Sequence, residues 1–343
     1  MAVGGEEGTV TGRAPTLDEV AREAGVSRST ASRAINGGER VSPKAQAAVD
    51  AAIARLGFSP NRAARALATS HTGSIALVIP EPDERFLTDP FLLGVLRGVN
   101  RGLVDSENQL VLLIAHEGQS PGRMASFLNA GHVDGAIVAS PHRGDQIEET
   151  MRGSRPVVFI GRPFVSEGMS YVDVDNVEGG RLATQRLIDA GRRRIGTITG
   201  TLDMTAALDR LEGWRAALSA AGLPDDAVEG GQFGIEQAEA ATHRLLDRVP
   251  DLDALFVASD TMAIGVRRAL QARSLSVPGD IALIGFDNLG PAENMTPGLT
   301  TVDNPLLMMV QEATRILLDR IRDPQRPPEA LVLPARLVER GSV

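Results

Sequence analysis

The 343-residue chain contains no cysteine, which excludes a disulfide framework and thiolate chemistry. Histidine is scarce, five scattered residues, so no structural metal site is expected. No apolar run approaches membrane-spanning length. The opening residues MAVGGEEGTVTG lack the basic start and apolar stretch of a signal peptide. Residues 1–15 read as a disordered tail, and the chain is expected to be cytoplasmic. No Gly-x-Gly-x-x-Gly opens a helix after the first strand, so no nucleotide cofactor is expected. Neither a nucleophile–base pair nor a metal cluster stands out, which argues against an enzyme. What remains is a chain with 43% hydrophobic residues, long enough for two or three domains with real cores.

The most informative segment is Thr16–Asn36, TLDEVAREAGVSRSTASRAIN. Thr16 followed by Glu19 is the signature of a capping box. Leu17, Val20, Ala21 and Ala24 then form one helical stripe, and Gly25 supplies a turn. Val26 is the apolar plug between two helices, and Ser27 caps the second. On that second helix Ala31, Ala34 and Ile35 face inward, leaving Arg28, Ser29, Ser32 and Arg33 outward. Ser42-Pro43 opens a third helix with a stripe of Ala45, Val49, Ile53 and Leu56, and Gly57 ends it. This is the pattern of a helix-turn-helix unit, although an ordinary three-helix bundle with a solvated face would share the spacing. Charge separates the two readings. Residues 13–71 hold nine basic side chains against five acidic ones, a net of +4, in a chain whose total is −9. A basic head on an acidic body is a localised footprint for a polyanion.

These residues, with the continuation RVSPKAQAAVDAAIARLGFSPNRAARALA, resemble the headpiece of the LacI/GalR family of bacterial repressors over Thr16–Ala68. The family pattern Val-Ser-x-x-Thr-Val-Ser-Arg-x-x-Asn is met by Val26, Ser27, Thr30, Ser32, Arg33 and Asn36, with Ala31 in place of the usual Val. The resemblance implies DNA contacts from Thr16, Ser27, Arg28, Ser29, Thr30, Ser32, Arg33 and Asn36, and from Arg40 and Ser42. It also implies a hinge helix within 61–72, with Asn61, Ala64 and Leu67 at the DNA and Leu67 wedged between central base pairs in the minor groove. About two turns of helix are too short to be stable alone, so the alternative is a plain linker with Leu67 packed on the body.

From Ser74 onward, apolar runs alternate with helical stretches: Ile75–Ile79, Leu110–Ile114, Ala136–Ala139 and Val157–Ile160, then Ile195–Thr199, Ala254–Ala258 and Ile281–Gly285. Such alternation predicts parallel sheets covered on both faces, here two in succession. Ligands of open parallel sheets bind at the carboxyl ends of the strands, so a cleft between two subdomains is the expected site. The resemblance extends over this body. Its markers are Asp175-Asn176, Gly191-Arg192-Arg193-Arg194-Ile195, Asp209-Arg210-Leu211-x-Gly213-Trp214, Ser259-Asp260, Gly285-Phe286-Asp287 and Leu299-Thr300-Thr301-Val302.

The fold class that follows is an all-α helix-turn-helix headpiece plus an α/β two-subdomain periplasmic-binding-protein-like core. The boundaries are expected at 16–60 for the headpiece, 73–172 plus 304–326 for one subdomain, and 173–303 plus 327–343 for the other.

Five residues are the candidates for an effector. Arg210 aligns with the family's ligand-clamping Arg, whose fork of donors suits hydroxyls or a carboxylate; a salt bridge across the cleft is the alternative. Asp287 follows the strand IALIGF and can accept two hydroxyl hydrogen bonds, or cap a loop. Phe233 offers a ring for a sugar face, or is simply core. Phe91 aligns with a lid aromatic, and Arg162 stands where relatives often carry an acid. Asn176 and Asp260 are assigned to helix capping, and Arg192–Arg194 to a solvated turn.

The function so implied is a nucleoid-associated repressor of carbohydrate uptake genes. It binds a near-palindromic double-stranded operator as a homodimer and is released by a small effector, a maltose-, cellobiose- or xylobiose-like sugar. A purine-type corepressor is the variant reading, and a solute-binding protein the reading from another class. The chain ends without an apolar heptad tail, so a coiled-coil tetramer is not expected.

Overall fold

The computed structural model describes residues 13, 15–35, 41–59, 71–115, 122–144 and 155–343. The chain divides into two units, Met1–Thr72 and Gly73–Val343. Asn36, Arg40, Asn61, Ala64 and Leu67 lie outside the described residues, as does nearly all of the 1–15 tail.

The first unit holds helices Leu17–Glu23, Arg28–Ile35 and Pro43–Leu56. The capping box is present in both directions: Glu19 N donates to Thr16 Oγ1 at 3.4 Å, and Thr16 N donates to Glu19 Oε2 at 2.7 Å. Ser27 Oγ accepts from Thr30 N at 3.2 Å and starts the second helix. Ser42 caps the third, with Pro43 behind it. Gly25 and Gly57 both take the left-handed conformation that ends each flanking helix, at φ 65° and 62°. Val20, Ala21, Ala31, Ala34, Val49 and Ala52 form the core, small enough to bring the helices close together.

The second unit is built on two six-stranded sheets. The first runs β11-β5-β4-β3-β1-β2, from β1 (Ser74–Pro82), β2 (Gln109–Ala115), β3 (Gly135–Ala139), β4 (Val157–Ile160), β5 (Ser170–Val174) and β11 (Ala330–Leu333). The second runs β12-β10-β9-β8-β6-β7, from β6 (Ile195–Thr199), β7 (Val228–Gly230), β8 (Ala254–Val257), β9 (Ala282–Asp287), β10 (Thr300–Asp303) and β12 (Arg336–Val338). Every pairing is parallel except β10 with β12. The central strands are buried on both faces, as the continuous apolar runs require.

The chain crosses between the sheets three times: after β5, after β10 and after β11. Two expected boundaries shift as a result. Residues 173–174 belong to the first sheet because β5 continues through them. Residues 330–333 belong there too, because β11 pairs in parallel with Tyr171–Val174, so the last crossing falls at Pro334-Ala335 rather than at 327. The capping assignments shift by one residue. Asp175 and Ser259 are the side chains that cap, accepting from Glu178 N and Met262 N, while Asn176 and Asp260 stand at the first helical positions and are free for other bonds.

Candidate functional site

Two surfaces carry the chemistry, one in each unit. On the headpiece, Arg28 and Arg33 are exposed and Ser32 is half-buried, while Ala31 and Ala34 are buried. Arg33 Nε donates to Ser29 O at 3.3 Å, and Arg28 Nε lies 3.3 Å from Asp18 Oδ1. Both side chains of that last pair are more than half exposed, so the pair is worth little in water and yields readily to a stronger anion. Ser27 Oγ also bonds the hydroxyls of Ser29 and Thr30, at 2.9 and 2.8 Å, which ties these candidates into one polar cluster.

In the core, the carboxyl ends of both sheets converge on one pocket of about 590 Å³, counting the solvent at its mouth. That size lies in the range of small-molecule sites. Phe91, Arg210, Phe233 and Asp287 all line it. Arg210 comes from helix Thr205–Ala221, which packs against helix Asn176–Asp189 so closely that a Cβ on Gly180 would sit 2.3 Å from Arg210 O, and one on Gly213 2.0 Å from Val177 O. The close approach fixes where the guanidinium can go. Arg210 Nε donates to Asn176 Oδ1 at 2.8 Å, Nη1 to the Ala258 carbonyl, and Nη2 to Asp287 Oδ1 at 3.5 Å. Its Cζ lies 3.6 Å from the Phe286 ring centroid. Arg210 therefore lines the pocket, and its salt bridge to Asp287 lies within the second subdomain rather than across the cleft.

Asp287 ends β9 at φ 106°, an uncommon backbone for a residue with a side chain. Its Oδ1 also accepts from Asn304 Nδ2 at 3.1 Å. Burial pushes its carboxyl up to about 6, against the pull of Arg210 and Asn304. Phe233 is likewise at positive φ, 57°, and its ring occupies the space beside Gly200, where any Cβ would clash with it. The Arg85 guanidinium stands 5.2 Å from the centroid of that ring.

The remaining candidate, Arg162, is not among the residues that line the pocket. Its Nη2 donates to both carboxylate oxygens of Asp209 at 2.7 Å, and its carbonyl accepts from Thr205 Oγ1. Arg162 follows β4 of the first sheet, and Asp209 and Thr205 lie on a helix of the second, so the residue bridges the subdomains instead of facing the cavity. A second bridge runs nearby. His142 lies 2.8 Å from Glu81 Oε1 and 3.0 Å from Asp203 Oδ1, and Arg143 N donates to Asp203 O at 2.8 Å. Burial opposes the His142 charge, but Glu81 and Asp203 outweigh it and raise the imidazole to about 9, so it is charged at neutral pH.

Sequence reasoning passed over several lining residues. Asp173 on β5 accepts from Arg162 N, Val174 N and Asn176 Nδ2, and burial lifts it to about 6 despite them. Asp89 caps helix Pro90–Gly102 through Phe91 N, and burial raises it as well. Arg85, Ser140, Thr205, Ser259 and Asn304 also contribute polar groups to the lining. Their common signal is position, at or just beyond the carboxyl end of a strand. Beneath the pocket, Asp260 accepts from Thr301 Oγ1 at 2.6 Å and Leu289 N at 2.9 Å, with its pKa raised to about 8 by burial and by the neighbouring Asp287 charge.

Comparison with known proteins agrees with this architecture. Residues 16–61 match the family of bacterial regulatory proteins, lacI family, and residues 184–343 match the periplasmic binding protein-like domain. The chain is 44% identical to the HTH-type transcriptional regulator CelR of Thermobifida fusca, over 96% of this chain and 98% of that one. It is 38% identical to the ribose operon repressor of Escherichia coli (strain K12), over 95% of this chain and 99% of that one. A solved CelR–cellobiose complex superposes with a TM-score of 0.76 at 42% identity, covering 96% of this chain and all of the other. The lac repressor dimer bound to operator and the anti-inducer ONPF superposes at 0.83, with 25% identity and 96% and 99% coverage. Helix-turn-helix headpiece, two-sheet core and these likenesses along almost the whole chain place the protein in the LacI family of bacterial regulatory proteins.

Proposed function

We propose that the protein is a sugar-responsive transcriptional repressor that binds a near-palindromic operator as a dimer and leaves it when a cellobiose-like disaccharide fills the core pocket. One observation carries the reading: a single chain joins a basic helix-turn-helix to a pocket lined by Arg210, Asp287 and Asn304, at 44% identity to CelR. On this reading the site of action is the nucleoid in the cytoplasm, where operator DNA lies; no helix among the described residues is long and apolar enough to cross a membrane.

Arg28 and Arg33 are the base- or phosphate-reading side chains, with Thr16, Ser27, Ser29, Thr30, Ser32 and Ser42 positioning the helices on the backbone. A bidentate Arg–guanine pair discriminates by about 1–3 kcal/mol. In the core, Arg210, Asp287, Phe91 and Phe233 contact the sugar, and Arg162 acts through Asp209 on cleft closure. The effector must bind the open and closed clefts unequally, because equal binding shifts nothing. Differential binding of about 1–3 kcal/mol changes operator affinity roughly 5- to 150-fold.

A gel-shift assay at low salt, with the palindrome upstream of the protein's own gene cluster, tests the reading. Binding that cellobiose reverses is the expected result. Absence of any binding would sink the regulator reading, whereas binding that cellobiose leaves untouched would remove only the disaccharide.

A further inference from the structure

We infer that the core pocket selects uncharged polyols and rejects their acidic counterparts, the uronic, aldonic and phosphorylated sugars. The inference rests on the proposal that the pocket binds a sugar, and it narrows the class.

The first observation is an orphan. Asn304 is 5% exposed and lines the pocket, and its Oδ1 is buried without a hydrogen-bond partner. The amide cannot simply be turned around, because Nδ2 is held by Asp287 Oδ1 at 3.1 Å, and a flipped amide would set oxygen against carboxylate. The atom left over is therefore an acceptor, and a buried acceptor without a donor is costly. A group with a hydrogen to give must meet it, a water when the pocket is empty and a ligand hydroxyl when it is filled. An ionised carboxylate or phosphate group has none, so the acidic group of such a sugar cannot be seated at this spot.

The second observation is charge. Asp89, Asp173 and Asp287 line the pocket, each at most 9% exposed, and among the described residues the only cations on the lining are Arg85 and Arg210. Both arginines are already matched. Arg210 is bonded to Asp287, and Arg85 Nη1 donates to Glu81, with Nη2 3.9 Å from Asp89. Arg85 Nε is the lining's other orphan, a buried donor without a partner. A hydroxyl serves it as well as it serves Asn304, since a hydroxyl both gives and accepts. An anion could reach this donor only by sitting beside Glu81 and Asp89. Like charges placed against each other in a desolvated site are strongly unfavourable, and this is how a site rejects a near-isostere.

The test is calorimetric titration of the full-length protein with matched pairs: cellobiose, maltose and xylobiose beside analogues in which one ring CH₂OH or equivalent carbon bears a carboxylate, and glucose beside glucose 6-phosphate. For whichever neutral sugar binds, its acidic partner is expected to bind at least about 100-fold more weakly, as buried like-charge contacts predict. In Asp287→Asn, which removes one negative charge and leaves Arg210 less matched, the gap should narrow at least about tenfold; retained operator binding shows that this variant is folded. An acidic partner within about tenfold of its neutral sugar, or a gap that Asp287→Asn leaves unchanged, would overturn the inference. If a neutral sugar other than cellobiose binds, the disaccharide assignment fails and the selection rule stands. If no sugar of either kind binds, the sugar-effector reading fails and takes this one with it.

Discussion

In the headpiece, Arg28 meets Asp18 at 3.3 Å with 71% and 59% of the side chains exposed. In the core, Arg210 meets Asp287 at 3.5 Å with 6% and 9% exposed. The two distances are nearly equal, and the physics is opposite. Water screens the first pair, so its partner is exchangeable and the arginine is available to a phosphate or a base. The second pair has lost its water and holds together because removing either member would strand a buried charge. Burial lowers the Arg210 pKa, with Asp287, Asp173, Asp260 and Asp209 opposing. One protein thus uses arginine both as a removable surface probe and as a fixed internal post.

The largest effect that would break this contrast is on stability. Arg210→Ala is expected to cost about 3–5 kcal/mol, because it strands the surrounding carboxylates, and to abolish the effector response. Arg210→Lys keeps the charge without the planar fork, and should recover part of the stability but not the response. Differential scanning calorimetry with and without effector measures both; an unchanged melting temperature in the alanine variant would remove Arg210 from its post.

Arg33→Ala and Arg28→Ala should do the reverse. Each is expected to weaken specific operator binding by about 1–3 kcal/mol while shifting stability by no more than about 0.5 kcal/mol. Gel-shift titration beside thermal melting reads the pair of effects. A variant that melts early would mean that the exposed arginines hold the headpiece together.

The third effect depends on pH. Asp173 and Asp287 both titrate at about 6, above the usual carboxylate range, with burial as the leading cause. A raised carboxylate contributes stability that is present below the unfolded pKa, near 4, and is lost as pH rises through about 6. The empty core should therefore gain stability on acidification through this window. Effector affinity should move the other way, since an ionised carboxylate accepts from a hydroxyl more strongly than a protonated one, and should fall below pH 6. Arg210, Asn304, Asp89 and Asp260 face the same groups and set the slope. Affinity that is flat between pH 5 and 7.5 would show that neither carboxylate touches the ligand.

Smallest is Arg162→Ala. The Arg162–Asp209 pair is 34% and 15% exposed, so its loss should cost about 1 kcal/mol or less. Since the pair spans the two sheets, the change should appear as a higher effector concentration at half-release rather than as a lost response. A variant with no response at all would put Arg162 back in the pocket.

How much of this was legible in the sequence follows from how local each signal is. The headpiece was readable almost residue by residue, because Thr16–Glu19, Gly25, Ser42-Pro43 and Gly57 act within one helical turn. Six of the seven strands read as apolar runs are buried central ones; the seventh, β2, is a half-exposed edge strand whose residues are still mostly apolar. β5 carries Asp173 in its middle, β7 has three residues, and β11 alternates exposed with half-buried positions, so none of them announces itself. Arg210, Asp287 and Phe91 reach the pocket from the positions the family resemblance implied, and Phe233, read as a ring for a sugar face or as core, lines it as well. For Arg162 the local pattern could not show its partner, because its guanidinium pairs with Asp209, 47 residues away in the chain. Asp173 and Asn304 were passed over because their importance comes from neighbours on other strands: Arg162 N for one and Asp287 for the other. Asn176 and Asp260 fell one residue past the true caps, and that single step turned them from capping groups into supports for Arg210 and for the β9 end.

The three crossings between the sheets also govern the order in which the protein can be finished as it is made. The first sheet takes its edge strand from Ala330–Leu333, and helix Leu306–Arg322 packs on β3, β4 and β5. The second takes Arg336–Val338, and Ser342 Oγ is bonded to both Thr300 N and Leu283 O. Neither half is a continuous length of chain. A ribosome that has translated the whole of β1 to β10 has completed neither sheet. The headpiece, by contrast, emerges first and needs nothing downstream for its core. A nascent chain can therefore present a folded DNA-reading unit before it owns a pocket capable of silencing it. For the same reason, exchanging one half of the core between two related regulators takes several junctions in the gene, because a single cut always leaves each half with the other's closing strand.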